Sequence, residues 1–414
     1  MKWSSVPLKR IAALRAGGTP AVEVEEFWSN NDEGYHWAAI SDMSSGETVT
    51  STARRISETG IRSARIQVGE PGTILFSMYA SLGHTAWLGV PAAWNQAILG
   101  VTSGQESDAR FLRYALVSLK PTLAEQARSN TQANLNAEQV GNLRIPHPPL
   151  DEQRRIADFL DAETVVIDTI SDQRSRQKQC ITERRWAVFQ ELLDNASSAR
   201  MPLRRILHSV IDGPFGSAFA SSDYTDEGAA VVRLGNIGFS DYRLSDQARI
   251  PMSLYHELRR HEVCSGDILV AGLGDARNHA GRACIAPDLG PAIVKGKCFR
   301  ARVDPQITSA PFVTLLLSSP LGAAALEGRG STRSMINLEV LKSAILPIPS
   351  ISDQIAIVDE MNRYWRSAQS AIEACNRQLT LLAERRQALI TAAVSGQIDV
   401  TTTRRSTSSE SVSV

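Results

Sequence analysis

Residues 146–162 read PHPPLDEQRRIADFLDA, and a related stretch, PIPSISDQIAIVDEMNR, begins at Pro347. Aligning Pro146 with Pro347 also pairs Gln153 with Gln354, Ile156 with Ile357 and Asp158 with Asp359, all at an offset of 201 residues. The register persists: Glu183, Arg184 and Arg185 fall on Glu384, Arg385 and Arg386. One unit therefore occurs twice.

Both copies share one physical design. Pro-x-Pro imposes an extended approach, because proline disfavours helical geometry in the residue before it. Asp151 or Ser352 follows as N-cap, or as an acid in the first turn, where it meets the helix dipole. Neither Pro nor Gly then occurs from Asp151 to Ala196 or from Asp353 to Ser395. That predicts two helices far longer than the usual three to four turns, each reaching roughly 60 Å.

The second helix carries the cleaner apolar seam. Val358, Met361, Trp365, Ala368, Ile372, Cys375, Leu379, Leu382, Leu389 and Ala393 recur in steps of three and four, with Arg386 the one break. A period near 3.5 residues marks a coiled coil. In the first helix Ile156, Leu160, Ile167, Ile170, Ile181, Val188 and Leu192 keep the stripe, while Glu163, Arg174 and Gln177 interrupt it. The polar centre fits either a docking surface for other chains or a solvated helix face. The residues assigned to the seam and to subunit docking are Gln153, Ile156, Leu160, Gln354, Met361, Trp365, Leu379 and Leu382.

At 414 residues the chain exceeds one ordinary core, and 43% hydrophobic with 21% charged residues describes a globular protein. The longest apolar stretch, Pro311 to Leu326, is broken by Ser318, Ser319 and Pro320 and is too short for a bilayer. Lys9, Arg10 and Arg15 stand where a signal peptide needs apolar residues, so a cytoplasmic protein without a membrane partner is expected. Five scattered cysteines without a CxxC pair indicate neither a disulfide framework nor a zinc ribbon. His256, His261 and Cys264 are read as satisfied polar or core residues rather than metal ligands. Net charge is zero, which argues against nucleic-acid binding over the whole surface. Basic and acidic residues balance at 13 to 13 over 1–150 but stand at 17 to 14 over 200–350.

The repeat extends beyond the helices. VPLKRIAAL from Val6 returns as MPLRRILHS from Met201, and GTILF from Gly72 as GDILV from Gly266. By Ala109 the offset reaches 201, so a net insertion of about seven residues lies between the GDILV strand and the following helix. The fold class is therefore α+β: two homologous globular modules joined by two long helices, with pseudo-twofold internal symmetry if the helices pair antiparallel. The expected divisions are 1–149, a helix over 150–198, 199–349, a second helix over 350–399, and a disordered tail over 400–414. Strands are expected at Ala38 to Ile40, Thr73 to Ser77 and Val231 to Leu234, and an apolar helix at Arg110 to Leu119 and Pro311 to Leu317.

Candidate contacts cluster in the modules. RSNTQANLN from Arg128 aligns with RGSTRSMIN from Arg329, each leading into an expected strand, Val140 to Ile145 or Leu341 to Leu346. Arg, Asn, Gln, Ser and Thr read base edges and hold phosphates, which nominates Arg128, Asn130, Thr131, Gln132, Asn134, Arg329, Ser331, Thr332 and Arg333. A polar loop that merely caps a strand has similar composition. The turns GGTP at Gly17 and DGPFGS at Asp212 add Gly18, Thr19 and Gly213, whose amides could approach a phosphate or simply close a tight turn. Tyr79, His84, Arg277, Asn278 and His279 follow the GTILF and GDILV strands and could reach a groove.

No catalytic constellation survives inspection. His147 to Leu150 lacks both ends of the Asn/Asp-Pro-Pro-aromatic tetrad of DNA aminomethyltransferases. Gly290 to Cys298 fails the Walker spacing, and no carboxylate stands two residues before Lys295 or Lys297, as a nuclease would need after Asp288.

The tandem of P-x-P-x-x-x-x-Q elements with long helices, the glycine turns, the GDIL-type strands and the polar loops resembles the specificity subunit of type I restriction-modification systems over nearly the whole chain. The resemblance implies two target-recognition domains, each reading half of a split site in double-stranded DNA, with the two long helices packed antiparallel as a coiled-coil spacer. It further implies a non-catalytic subunit that docks two methyltransferase subunits and two restriction subunits. S-adenosylmethionine, ATP and Mg are then expected on those partners and no cofactor on this chain. Twofold architecture suits two DNA half-sites on physical grounds too. A non-enzymatic coiled-coil adaptor binding protein partners is the rival class, and an enzyme with an unrecognised site is a third.

Overall fold

The computed structural model describes residues 3–29, 33–44, 46–79, 81–129, 134–214, 223–244, 247–327 and 335–400. The expected tail over 401–414 lies outside them. Two compact units emerge, one formed by Met1–Ser175 with Asn376–Val414 and the other by Arg176–Cys375. Each contains one globular module and halves of both long helices.

In the first unit a five-stranded sheet orders Ala12–Ala16, Ile98–Ser103, Ile74–Ser77, Thr85–Leu88 and Thr48–Val49. A four-stranded sheet orders Trp28–Ser29, Arg54–Ile56, Tyr35–Ala38 and Ala92–Trp94. The second unit repeats the plan with fewer strands. Its four-stranded sheet orders Leu207–Asp212, Cys298–Val303, Ile268–Ala271 and Ala283–Ile285, and its three-stranded sheet orders Arg249–Ile250, Ala229–Val232 and Ala292–Val294. Ile74–Ser77 and Ile268–Ala271 are buried along their whole length, as strands with covered faces must be.

The long helices run Leu150–Asp194 and Ile351–Val394, without interruption. In the first unit Ile156, Ala157 and Leu160 share one hydrophobic cluster with Ile390, Ala393 and Val394. In the second, Phe189 and Leu193 share one with Ile357 and Met361. The start of one helix thus meets the end of the other in each unit, which is the antiparallel arrangement. Seam residues Met361, Ala368, Cys375 and Ala393 are buried, whereas Trp365, Leu379 and Leu382 are half-buried, because a helix pair leaves one flank of its seam open. From Ser171 to Arg184 the first helix has no buried residue.

Several local expectations change. Gln153 and Gln354 do not belong to the seam. Gln153 is fully buried, its Oε1 accepting from Asp108 N at 2.9 Å while Nε2 donates to Glu106 O and Pro148 O. Gln354 repeats this: Oε1 accepts from Thr308 Oγ1 and Ser309 N, and Nε2 donates to Ile307 O and Pro349 O. Each glutamine therefore clamps the start of a long helix onto the loop that starts the apolar helix Ala109–Ser118 or Ala310–Ser318. Burial without loss of hydrogen bonds requires a side chain with both donor and acceptor ends, which the amide supplies. Ser352 is not the N-cap of its helix, since Ser350 Oγ accepts from Asp353 N and the helix begins at Ile351.

The strands expected at Val140 to Ile145 and Leu341 to Leu346 are instead short helices, Ala137–Gly141 and Leu338–Ser343, followed by strands Arg144–Pro146 and Ile345–Pro349. The cause is local. Asn136 Oδ1 accepts from Gln139 N and Gln139 Oε1 from Asn136 N, a reciprocal cap, and Asn337 Oδ1 likewise accepts from Val340 N. The strand expected to reach Ile40 stops at Ala38, because the Asp42 carboxylate accepts from Ala39 N and starts a helical turn. The strand expected over Val231 to Leu234 is Ala229–Val232.

No single helix among the described residues is long and apolar enough to cross a membrane. The apolar pair Ala310–Ser318 and Pro320–Glu327 meets at 72°, and Phe312, Val313, Leu316 and Leu326 lie in the second unit's core.

Candidate nucleic-acid interface

In both units one end of the module gathers four loops through backbone hydrogen bonds. In the first unit Gly18 N donates to Trp94 O at 2.9 Å, bringing the glycine turn against the hairpin turn Asn95, Gln96 and Ala97. Met78 N donates to Ala97 O at 2.8 Å, and Leu135 N to Met78 O at 3.1 Å. The last bond ties the end of the polar loop to the segment holding Tyr79. In the second unit Gly213 N donates to Cys298 O, Gly296 N to Pro214 O, Gly272 N to Lys297 O at 2.7 Å and Ile336 N to Gly272 O at 2.9 Å. The same four segments converge.

Glycine makes this approach possible for steric rather than torsional reasons. Neither Gly17, Gly18 nor Gly213 has positive φ. A Cβ at Gly17 would stand 2.2 Å from Asn95 O, and one at Gly213 2.2 Å from the Lys295 carbonyl carbon. The amides of Gly18 and Gly213 are consumed by this packing, which corrects the expectation that they are free to cradle a phosphate.

Thr19 and Gln96 are joined by a hydrogen bond from Thr19 Oγ1 to Gln96 Oε1, and both sit at the gathered end. Asn134 is exposed beside Leu135. Arg128 lies in the last turn of the helix Lys120–Ser129, and its side chain lies outside the described residues, as do Asn130, Thr131, Gln132, Arg329, Ser331, Thr332 and Arg333. Arg277 is exposed, with its amide on Asp275 Oδ1, and Asn278 Nδ2 donates to both oxygens of the same carboxylate. Those bonds hold the Asp275 carboxyl below its ordinary value. The loop is further pinned by Arg282, a buried guanidinium that donates to the carbonyls of Leu234, Ile237, Leu273 and His279. His84 is not part of the group. Its Nε2 lies 3.0 Å from Met43 O, and it lines a cleft of about 420 Å³ with Glu47, Arg113, Lys120, Asp168 and Arg386.

Sequence reading missed the hairpin turn itself. Aligning WNQAILG from Trp94 with VKGKCFR from Val294 would have found it, since Asn95, Gln96 and Ala97 then face Lys295, Gly296 and Lys297. It also missed Arg282, because a buried arginine has no local signature.

The remaining polar clusters have structural partners. His261 Nδ1 meets Asp212 O at 2.7 Å, and its Nε2 accepts from Arg260 Nε. Burial pushes the thiols of Cys284 and Cys298 up to about 12, which suppresses the reactive thiolate. Among the described residues no three His, Cys, Asp or Glu side chains are placed to hold a metal ion.

Comparison with known proteins agrees with this arrangement. Residues 1–177 match the family model described as the type I restriction modification DNA specificity domain. The chain is 23% identical to the type I restriction enzyme EcoBI specificity subunit of Escherichia coli, over 96% of this chain and 86% of that protein. It is 21% identical to the MjaVIII specificity subunit of Methanocaldococcus jannaschii over 71% of each. In fold it resembles a chain from a solved structure on complex assembly and conformational transition of the type I R-M system. That match has a TM-score of 0.65 at 16% identity and covers 96% of this chain and 98% of the other. Residues 1–177 thus carry the type I restriction modification DNA specificity domain, and over nearly its whole length the chain is similar to type I restriction-modification specificity subunits.

Proposed function

We propose that this chain reads a bipartite, asymmetric DNA site, with 1–149 and 199–349 as target-recognition domains and the long helices as spacer and docking surface. The observation that supports it is the recurrence of one four-loop end in two homologous units whose side chains differ. Equal scaffolds place loops alike, and unequal side chains meet different bases. The chain itself contributes recognition and no chemistry. Two methyltransferase subunits carrying S-adenosylmethionine and two restriction subunits using ATP and Mg act on the DNA it selects, in the cytoplasm.

The test is a methylome. Cells carrying the wild-type system should show methylated adenines in a split motif. Replacing Thr19 and Gln96 with Ala should relax one half only, by about 1–3 kcal/mol for each lost bidentate base contact. Changing Arg329 and Arg333 should relax the other half. Equal weakening of both halves by either set would reduce these loops to structural elements. The rival adaptor reading requires that the purified chain show no salt-steep affinity for duplex DNA.

A further inference from the structure

The hairpin turn that follows Val294 differs in chemistry from its counterpart after Trp94. Resting on the DNA-recognition reading, we propose that Lys295 and Lys297 form a DNA-phosphate clamp in the second recognition domain, one that the first domain lacks.

Lys297 is one of three non-glycine residues with positive φ among the described residues, at φ 70°. A lysine in the left-handed region is strained, and such strain persists where the surroundings impose it and often where the side chain has a task. Gly296, one residue earlier, shows that glycine was available to this turn. The surroundings are rigid: Lys297 O accepts from Gly272 N at 2.7 Å, and a Cβ on Gly272 would stand 2.8 Å from that carbonyl oxygen. The backbone is thus fixed while the side chain remains exposed.

The side chain has a weak partner at home. Lys297 Nζ lies 2.9 Å from Met335 Sδ, a poor acceptor, and meets no carboxylate among the described residues. Lys295 is better anchored, with Nζ donating to Tyr224 Oη at 2.7 Å and lying 4.9 Å from the ring centroid. The Arg233 guanidinium stands 5.5 Å from the same ring. Lys295 and Arg233 thus share one aromatic ring, while Lys297 stands two residues along the same hairpin turn. An anion with several acceptor oxygens is the ligand that the two ammonium groups of this turn favour, and duplex DNA supplies one at every phosphate.

The corresponding turn of the first unit, Asn95, Gln96 and Ala97, carries no charged side chain. Asn95 Oδ1 accepts from Ala97 N, Gln96 is held by Thr19, and Ala97 is buried. Amides at that turn suit base edges or water, whereas ammonium groups suit phosphate.

A phosphate contact is independent of sequence, so the full-length chain can be tested on a random-sequence DNA duplex across a range of salt. K297M should lower the magnitude of the slope of log K against log salt by about 0.9, equivalent to about eightfold weaker binding at 0.1 M salt relative to 1 M. K297G should behave the same while melting no lower than wild type, since it relieves the backbone. K297R should restore the wild-type slope. A K297M chain with wild-type slope and affinity would overturn the clamp, as would a lowered slope confined to variants that have lost their folded transition. Weakened binding without a change of slope would also overturn it, by assigning a contact other than phosphate. A wild-type chain that binds no duplex would defeat the DNA-recognition reading itself, and the clamp with it.

Discussion

Arg185 and Arg386 close the two copies of the same Glu-Arg-Arg triplet, yet the two units accommodate them by opposite means. In the first unit Arg386 is half-buried and ionic. It pairs with Asp168 on the neighbouring long helix and with Glu47, which also pairs with Arg113. In the second unit Arg185 is buried and aromatic. Its guanidinium lies 4.2 Å from the ring centroid of Trp365 and 4.7 Å from that of Trp186, and Nη1 donates to Phe239 O while Nε finds no partner among the described residues. Burial pushes its pKa down to about 10, against the opposing pull of Asp241 and Tyr364. Position in the repeat preserved the arginine, and divergence of its neighbours decided whether its charge is paired or stacked. The glutamine clamps teach the converse: Gln153 and Gln354 make matching bonds in both units, because a buried amide with every group satisfied tolerates little change around it.

Gln153→Ala and Gln354→Ala should be the most costly, each about 3–5 kcal/mol in denaturant unfolding, because several buried backbone groups lose their partners at once. The two costs should be similar, and a large inequality would mean that the clamps are not equivalent. Arg185→Ala should cost about 2–4 kcal/mol through lost packing and cation–π contact. Arg185→Met should recover most of that, since a buried charge exchanged for an apolar chain of similar volume is often neutral. Arg386→Ala and Arg386→Met should instead both cost about 1 kcal/mol and shrink together in high salt. Identical Ala-to-Met behaviour at the two sites would remove the distinction.

The smallest effect is one of pH. Burial pushes the Glu47 carboxyl up, but the guanidinium groups of Arg113 and Arg386 outweigh it and hold the group below its ordinary value. With the folded pKa depressed, the unfolded chain binds more protons in that interval, so stability rises with pH across it. The contribution is therefore complete above the unfolded glutamate pKa of about 4.3 and is lost as pH falls through the folded value. Glu47 is largely exposed to solvent, which keeps the term to a fraction of a kcal/mol. A Glu47→Gln chain should show a shallower acid slope in melting, while Arg185→Met should leave that slope unchanged.

The tandem, the two long helices and the family resemblance were legible in the sequence, because these depend on repeated local patterns. An offset of 201 residues, a run without Pro or Gly and a spacing of three and four are readable without knowing what touches what. Even so, local chemistry was read too coarsely at Asn136 and Asn337, where a capping side chain turned an expected strand into a helical turn. Tertiary structure alone decided which polar residues were free. Gln153 and Gln354 looked like members of a helix seam and are internal clamps. The amides of Gly18 and Gly213 looked available and are spent on the hairpin, and Arg282 was invisible until four carbonyls were seen to surround it. The physical reason is that a hydrogen bond between residues distant in the chain leaves no period or spacing behind it. It exists only once the chain has closed, so recognising Lys297 as a candidate contact required a backbone angle and a neighbour 38 positions away, Met335.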